Sequence, residues 1–425
     1  MNLLKSHIIL MFVILVTSCN SSKVTKVDRN LSYTYNPTTS TLNPKFDVFH
    51  SKPNSSILTF KLFTAELLFN EANPENELRA EFQIDLKMYE VDSKGVGKTI
   101  VDSTLRKYNI NKENATGRFL TDIELKAQTN KLYLCEIYTT DLLRRTVTRD
   151  YIYVNKLNQH NYQNFRVIDG TNSLPLFEPY VVGNKEFKIL YPFAIDSLFV
   201  SYHKISQQLP RPVFFEEQAE SYIGKTDSIW KVPNSEFFIL RFEKEGLYYV
   251  QADTGVIDGL TLLNFGEGFP KVTSVDEMLG PLAYITTTNE YKSLLSQKNR
   301  KLAVDDFWLS KVDNIERARE LIRIYYTRVY LANYYFSSYK EGWKTDRGMV
   351  YIIYGPPNSM ESDSDYERWI YYKKNNKGPV TFAFKREGNE YSNQLFTLQR
   401  SESYNVSWRQ SVNNWRNGDL FLLEN

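Results

Sequence analysis

The residues best placed to do chemistry lie between Glu341 and Trp369. The stretch from Glu341 to Asn358 reads EGWKTDRGMVYIIYGPPN. Asp346 within it and Glu367 beyond it could form a carboxylate pair for acid–base work, with Arg347 beside them. Such a pair flanking a bond in an aromatic cleft is what a glycan hydrolase needs. Each residue type also has a local architectural use. Gly342 suits the end of a helix, and Trp343 would fold back onto it. Thr345 and Asp346 can bond nearby backbone N–H groups and fix a turn. Gly348 would open a strand over Met349 to Tyr354, and Gly355-Pro356-Pro357 would stop it. Because every residue has such a reason, the architectural reading is favoured over a catalytic one.

Other constellations are weaker. The four histidines are His7, His50, His160 and His203, so the last half of the chain cannot supply a Ser-His or Cys-His pair by itself. No HExxH and no Cys/His cluster is present, which leaves no zinc pattern and no metal or cofactor to expect. Gly97-Lys98-Thr99 lacks the glycine of a phosphate loop at Asp92, and the residues after Thr99 alternate like a strand. Glu361, Asp363 and Asp365 alternate as calcium ligands might. Tyr366 and Tyr372 occupy the glycine and bidentate glutamate positions of an EF-hand, so a solvated acidic hairpin is expected. Cys135 lies among strand formers and reads as a buried small hydrophobe. Arg144, Arg145 and Arg149 are too few for a nucleic-acid stripe, and a formal net charge of +2 gives no electrostatic footprint for one.

The first residues, MNLLKSHIILMFVILVTSCN, carry a short polar start and an apolar run from Ile8 to Val16, too short to span a bilayer comfortably. They read as a secretory signal over 1–18. A cysteine after small residues resembles the bacterial lipobox. That resemblance implies acyl chains on Cys19, and several chains anchor stably where one is marginal. The segment NSSKVTKVDRN after it lacks the acidic run of surface-exported lipoproteins, so an outer-membrane lipoprotein facing the periplasm is expected, with residues 19–56 as a tether.

The elements that must position these residues fall into three regions. Residues 57–157 read as a β-sandwich of short strands. Within it Phe82, Ile84, Leu86 and Met88 alternate with polar neighbours. A polar break, NQHNYQN, precedes a second β-rich region over 165–269. Its strands include KEFKILYP, SLFVSYHKI, EFFILRF and GLYYVQAD, punctuated by prolines. Residues 284–425 read as α+β. The pattern changes from about Ser274, with two helical pieces broken at Gly280-Pro281 and a short helix at RKLAVDDFWLSK. A long helix spans Asn314 to Tyr339, with Asp313 as N-cap and Glu316 completing a capping box. A small antiparallel sheet comes next. Trp408, Val412 and Trp415 then line one face of a last helix, expected to dock on its own domain. The fold class is thus mainly β with a C-terminal α+β domain.

Gly342-Trp343-Lys344-Thr345-Asp346 resembles the signature of the GWxTD domain, found in bacterial lipoproteins. Arg347-Gly348, Ile352 to Tyr354 with Gly355-Pro356-Pro357, and Glu367-x-Trp369 extend the resemblance. It implies an outer-membrane lipoprotein and supplies no catalytic residues. The expectation is a non-catalytic binding or scaffolding subunit of an envelope complex, serving outer-membrane protein assembly or secretion, with a protein partner. The alternative is a glycan hydrolase or glycan binder using Asp346, Glu367 and aromatic subsites.

Overall fold

Strand alternation builds the first module. A computed structural model describes residues 30–36, 42–71, 77–91, 97–205, 208–215, 225–312, 314–363, 365–372, 378–387, 391–392 and 395–419. The signal segment, Cys19 and the tether up to residue 29 lie outside the described residues, as does Asp313. The first module holds β1 (Lys45–Lys52), β2 (Ser55–Phe63), β3 (Asn70–Glu71), β4 (Leu78–Val91), β5 (Gly97–Asn111), β6 (Arg118–Leu125), β7 (Leu132–Asp141) and β8 (Thr146–Asn155). One sheet runs β1-β2-β6; the other centres on β4 and β7. Phe82, Ile84, Leu86 and Met88 all point into the core, against Leu58, Phe60 and Ile123 of the facing sheet. Residues 45–56, expected in a tether, are instead mostly strand. β1 supplies an edge of the first sheet, and its Val48 is buried in the core.

The second region holds β9 (Arg166–Asp169), β10 (Tyr180–Val181), β11 (Phe187–Leu190), β12 (Ser197–His203), β13 (Ser228–Pro233), β14 (Gly246–Gln251) and β15 (Leu260–Asn264). Its larger sheet is ordered β10-β15-β14-β12-β13, with β10 and β15 parallel. EFFILRF is not a strand. Among the described residues the stretch pairs only through a single bridge from Leu240 to Phe187 of β11.

The remainder contains α1 (Val275–Leu279), α2 (Thr288–Ser296), α3 (Arg300–Leu309), α4 (Ile315–Phe336), α5 (Asp346–Tyr354), β16 (Ser359–Ser362), β17 (Tyr366–Tyr371), β18 (Val380–Arg386), β19 (Phe396–Leu398) and α6 (Asn405–Arg416). The long helix starts later than expected, because Asn314 is its N-cap and accepts from the Arg317 N–H at 2.7 Å. It ends at Phe336, so Gly342 does not cap it. Ala318, Tyr325, Val329, Ala332 and Phe336 form its buried stripe, and Trp408 and Trp415 of α6 join the same core. The sheet is an antiparallel meander β16-β17-β18-β19. No described helix is long and apolar enough to cross a membrane.

Candidate functional site

The largest departure from the sequence reading is at the motif itself. Met349 to Tyr354, expected as a strand, belongs to helix α5. Thr345 is its N-cap, and the Thr345 hydroxyl oxygen accepts from the Gly348 N–H at 3.0 Å. Gly355, at φ +82°, ends it in the left-handed region. All nine residues of α5 are buried. Met349 to Tyr354 is an unbroken apolar run of six residues rich in strand formers, and so short a run reads the same as a buried strand.

Close packing explains the glycines. A Cβ on Gly342 would lie 1.9 Å from the Ala332 carbonyl oxygen of α4, and one on Gly348 would lie 1.9 Å from the Gly342 carbonyl oxygen. Only glycine lets these backbones approach so closely. Trp343 is tied to α4 through its backbone, while its ring lies beside Gly280 and Tyr284. Its N–H donates to the Asn333 side chain at 3.1 Å, its carbonyl accepts from the Tyr284 hydroxyl at 2.7 Å, and its indole N–H donates to Glu341. Lys344 pairs with Glu341 at 2.8 Å and lies over the Trp343 ring.

Asp346 and Glu367 do not act as a pair. Each is buried against its own arginine. Asp346 accepts from the two terminal nitrogens of Arg400 at 2.6 and 3.1 Å, and from the Leu398 N–H at 2.8 Å. This joins the first turn of α5 to β19 by a bidentate charge-assisted contact. The expected local turn bond is thus replaced by one that reaches 52 residues along the chain. Arg400 also donates to the Arg211 carbonyl at 3.2 Å. Nearby, burial pushes the Lys340 amine down to about 8, with Asp346 opposing and Arg400 and Lys344 assisting.

Glu367 lies 3.3 Å from a terminal nitrogen of Arg347, and both side chains are almost wholly enclosed. The other Glu367 oxygen accepts from the Trp369 indole N–H at 2.5 Å. The Arg347 guanidinium lies over the rings of Phe396 and Phe336, 4.1 and 5.0 Å from their centroids. The third member of this cluster is Tyr35. Its hydroxyl donates to Glu367 and accepts from Arg347, both at 3.2 Å. Burial holds its phenol well above the usual range. Sequence reading missed Tyr35, because NLSYTYN has neither periodicity nor a motif. It missed Arg400 for the same reason.

Two surface features remain. A cleft of about 520 Å³ lies between the second β region and the helix group, where Trp343, Glu341 and Lys344 meet Phe269, Glu245 and Glu267. Neither Asp346 nor Glu367 lines it. The second feature is apolar. Among the described residues β13 is an open sheet edge, and its Ile229 is 60% exposed. The turn after it exposes Phe237 at 79% and Ile239 at 49%.

The other candidates are structural in their surroundings. Cys135 is buried in the sandwich core, and burial pushes its thiol up to about 12. His50 is fixed between Ser56 and the Asn155 carbonyl, both at 2.8 Å. Asp363 closes the β16–β17 hairpin by accepting from the Asp365 and Tyr366 N–H groups. Thr99 lies in β5, paired with Glu90, and does not open a helix. Arg144 binds Asp141 at 3.2 Å, and Arg149 pairs with Glu136 on the neighbouring strand. No group of three or more potential metal ligands occurs among the described residues.

This is a mainly β chain ending in a helix group packed on a small antiparallel sheet. The GWxTD domain model matches residues 246–417, so the C-terminal part of the chain is a GWxTD domain. The match begins at β14, well before residue 284, and so includes strands assigned by sequence to the second β region. No curated protein matches the chain. Among solved structures, red sea bream transglutaminase is similar over 53% of this chain and 31% of its own. At 9% identity and a TM-score of 0.19, that likeness bears on neither fold nor activity.

Proposed function

We propose that the chain is a lipid-anchored binding or scaffolding subunit of an envelope complex, held by acyl chains on Cys19 and facing the periplasm from the outer membrane. The observation that carries this reading is the open edge that β13 presents among the described residues, with its exposed Ile229, followed by Phe237 and Ile239. An unpaired strand edge beside exposed apolar side chains is what an extended segment of a partner protein adds to. The partner is an envelope protein, with outer-membrane protein assembly or secretion as the process that fits the compartment.

Asp346 and Glu367 support this reading by their engagement. A hydrolytic role would require two buried carboxylates to leave Arg400 and Arg347 and reach solvent, so the glycan-hydrolase alternative draws no support from this geometry. The test is cross-linking of the acylated protein in cells, comparing the natural chain with a Phe237→Ser/Ile239→Ser variant. Both positions are exposed, so melting is expected to be unchanged while the cross-linked companion is lost. Recovery of the natural chain alone after cross-linking would overturn the proposal, as would a companion retained by the variant.

A further inference from the structure

Residues 30–36, ahead of the first strand, do not run past the last domain; they are built into it. Leu31 N–H donates to the Met360 carbonyl at 2.8 Å, and the Asn30 side chain accepts from the Met360 N–H at 3.0 Å. Asn30 and Ser32 side chains both donate to the Asn358 carbonyl at 3.3 Å. These contacts continue the outer edge of β16, which among the described strands pairs only with β17. Four residues further on, Tyr35 enters the core. Its ring packs against Phe336, Tyr335 and Trp369 at centroid distances of 4.9 to 5.5 Å. Its carbonyl accepts from the Tyr351 hydroxyl at 2.7 Å, and its own hydroxyl completes the Arg347–Glu367 pair. Withdrawing it would leave a ring-sized void and strip a partner from two buried charges.

We propose that residues 30–36 are a latch that fixes the anchor-leading end of the chain to the GWxTD domain, so that the last domain in sequence is held at the membrane surface by its β16 edge. The proposal rests on acylation of Cys19 as proposed above. Asn30 lies eleven positions beyond Cys19. Fully extended, that length of chain reaches about 40 Å at most, and as a coil its root-mean-square span is about 20 Å. Arg347 of the motif and Glu367 then have a common purpose: they form the polar seat for Tyr35. Without the latch, the first folded element after the anchor would be the sandwich strand β1, and the β16 edge would be positioned only indirectly, through contacts such as Lys45 with Tyr334.

The test places the same flexible insertion on either side of the latch in the full acylated chain. A donor dye on Ser362→Cys, exposed on β16, reports energy transfer to rhodamine lipid in phosphatidylethanolamine–phosphatidylglycerol vesicles. A Gly/Ser insert of roughly thirty residues raises the coil span between Cys19 and Asn30 from about 20 Å to roughly 35 Å. Inserted after Thr25, it should lower the transfer about twofold or more; inserted after Thr38, it should leave the transfer unchanged. Equal losses from both insertions, with the chain bound to vesicles, would overturn the latch and leave the anchor intact. Failure of the natural chain to bind vesicles would overturn the anchor and, with it, the membrane placement. In that case the latch itself is read by chymotrypsin. Cleavage after Tyr33 and Tyr35 should be about tenfold slower than in the free peptide 27–38, as burial requires of a protected segment, and equal rates would overturn it.

Discussion

The Arg347–Glu367 pair shows what a buried charge does here. A salt bridge taken out of water is weak evidence for stability, but removing one member leaves an uncompensated charge and costs about 3–5 kcal/mol. Arg347→Met is therefore expected to destabilise the protein by about that amount in urea denaturation. The double variant Arg347→Met/Glu367→Leu should recover part of the loss, because no charge is then stranded, although the Tyr35 hydroxyl and the Trp369 indole N–H lose their acceptor. Additive losses would mean that the two side chains are not coupled. Asp346 differs in one respect, since it also accepts a backbone N–H from Leu398. Asp346→Asn keeps one acceptor for that bond and loses the charge facing Arg400. It should lower the melting temperature while leaving partner binding intact; full stability with loss of function in cells would instead point to chemistry at this residue.

Helix α5 brings a conflict between propensity and packing. On propensity alone, Gly348→Ala inside a helix should gain about 1 kcal/mol. Packing reverses the sign, because the added Cβ would meet the Gly342 carbonyl carbon at 2.8 Å and its oxygen at 1.9 Å. Gly348→Ala is expected to abolish the cooperative thermal transition of the C-terminal domain, read by circular dichroism. A variant as stable as the natural chain would show that the 3-10 turn Gly342–Lys344 does not press on α5 as described. At the other end of the same cap, Thr345→Ala should cost about 1 kcal/mol and Thr345→Ser almost nothing, since serine keeps the capping oxygen.

The second β region joins the last domain through an apolar cluster around Phe265, Phe269 and Tyr339, whereas the sandwich meets it through polar contacts. Lys45 of the sandwich lies 4.4 Å from the centroid of the Tyr334 ring on α4, and the Tyr33 hydroxyl donates to the Arg149 carbonyl of β8. Beside them, burial raises the Asp150 carboxyl to about 7, with Lys45 opposing. A carboxyl raised on folding favours the folded state fully only below its unfolded value of 3.8, and that contribution is lost progressively as pH rises from there to about 7. His50 is lowered by burial to about 4, so its contribution is full above the unfolded value and is lost as pH falls toward 4. The expected result is that Asp150→Asn matches the natural chain in melting temperature near pH 4, and that its advantage grows with pH until it levels off above about 7. A constant difference between the two across that range would exclude Asp150 as the titrating group.

The sequence by itself determined the elements whose period survives solvent exposure. The β4 alternation, the buried stripe of α4 and the tryptophan face of α6 each have one wet side, so polar and apolar residues mark the two faces. It also made the GWxTD motif recognisable as a pattern, but the close approach of Gly342 to Ala332 and the capping by Thr345 became evident only in the folded chain. Tertiary structure alone decided that Met349 to Tyr354 is a helix, since a six-residue apolar run of strand formers is too short to fix its period locally. It alone decided that EFFILRF forms no strand and pairs with β11 only at Leu240. It decided, too, that Asp346 and Glu367 are held by Arg400, Arg347 and Tyr35. Those contacts join residues 54, 20 and 332 positions apart, and no local pattern encodes a partner that only the packed chain brings within hydrogen-bonding distance.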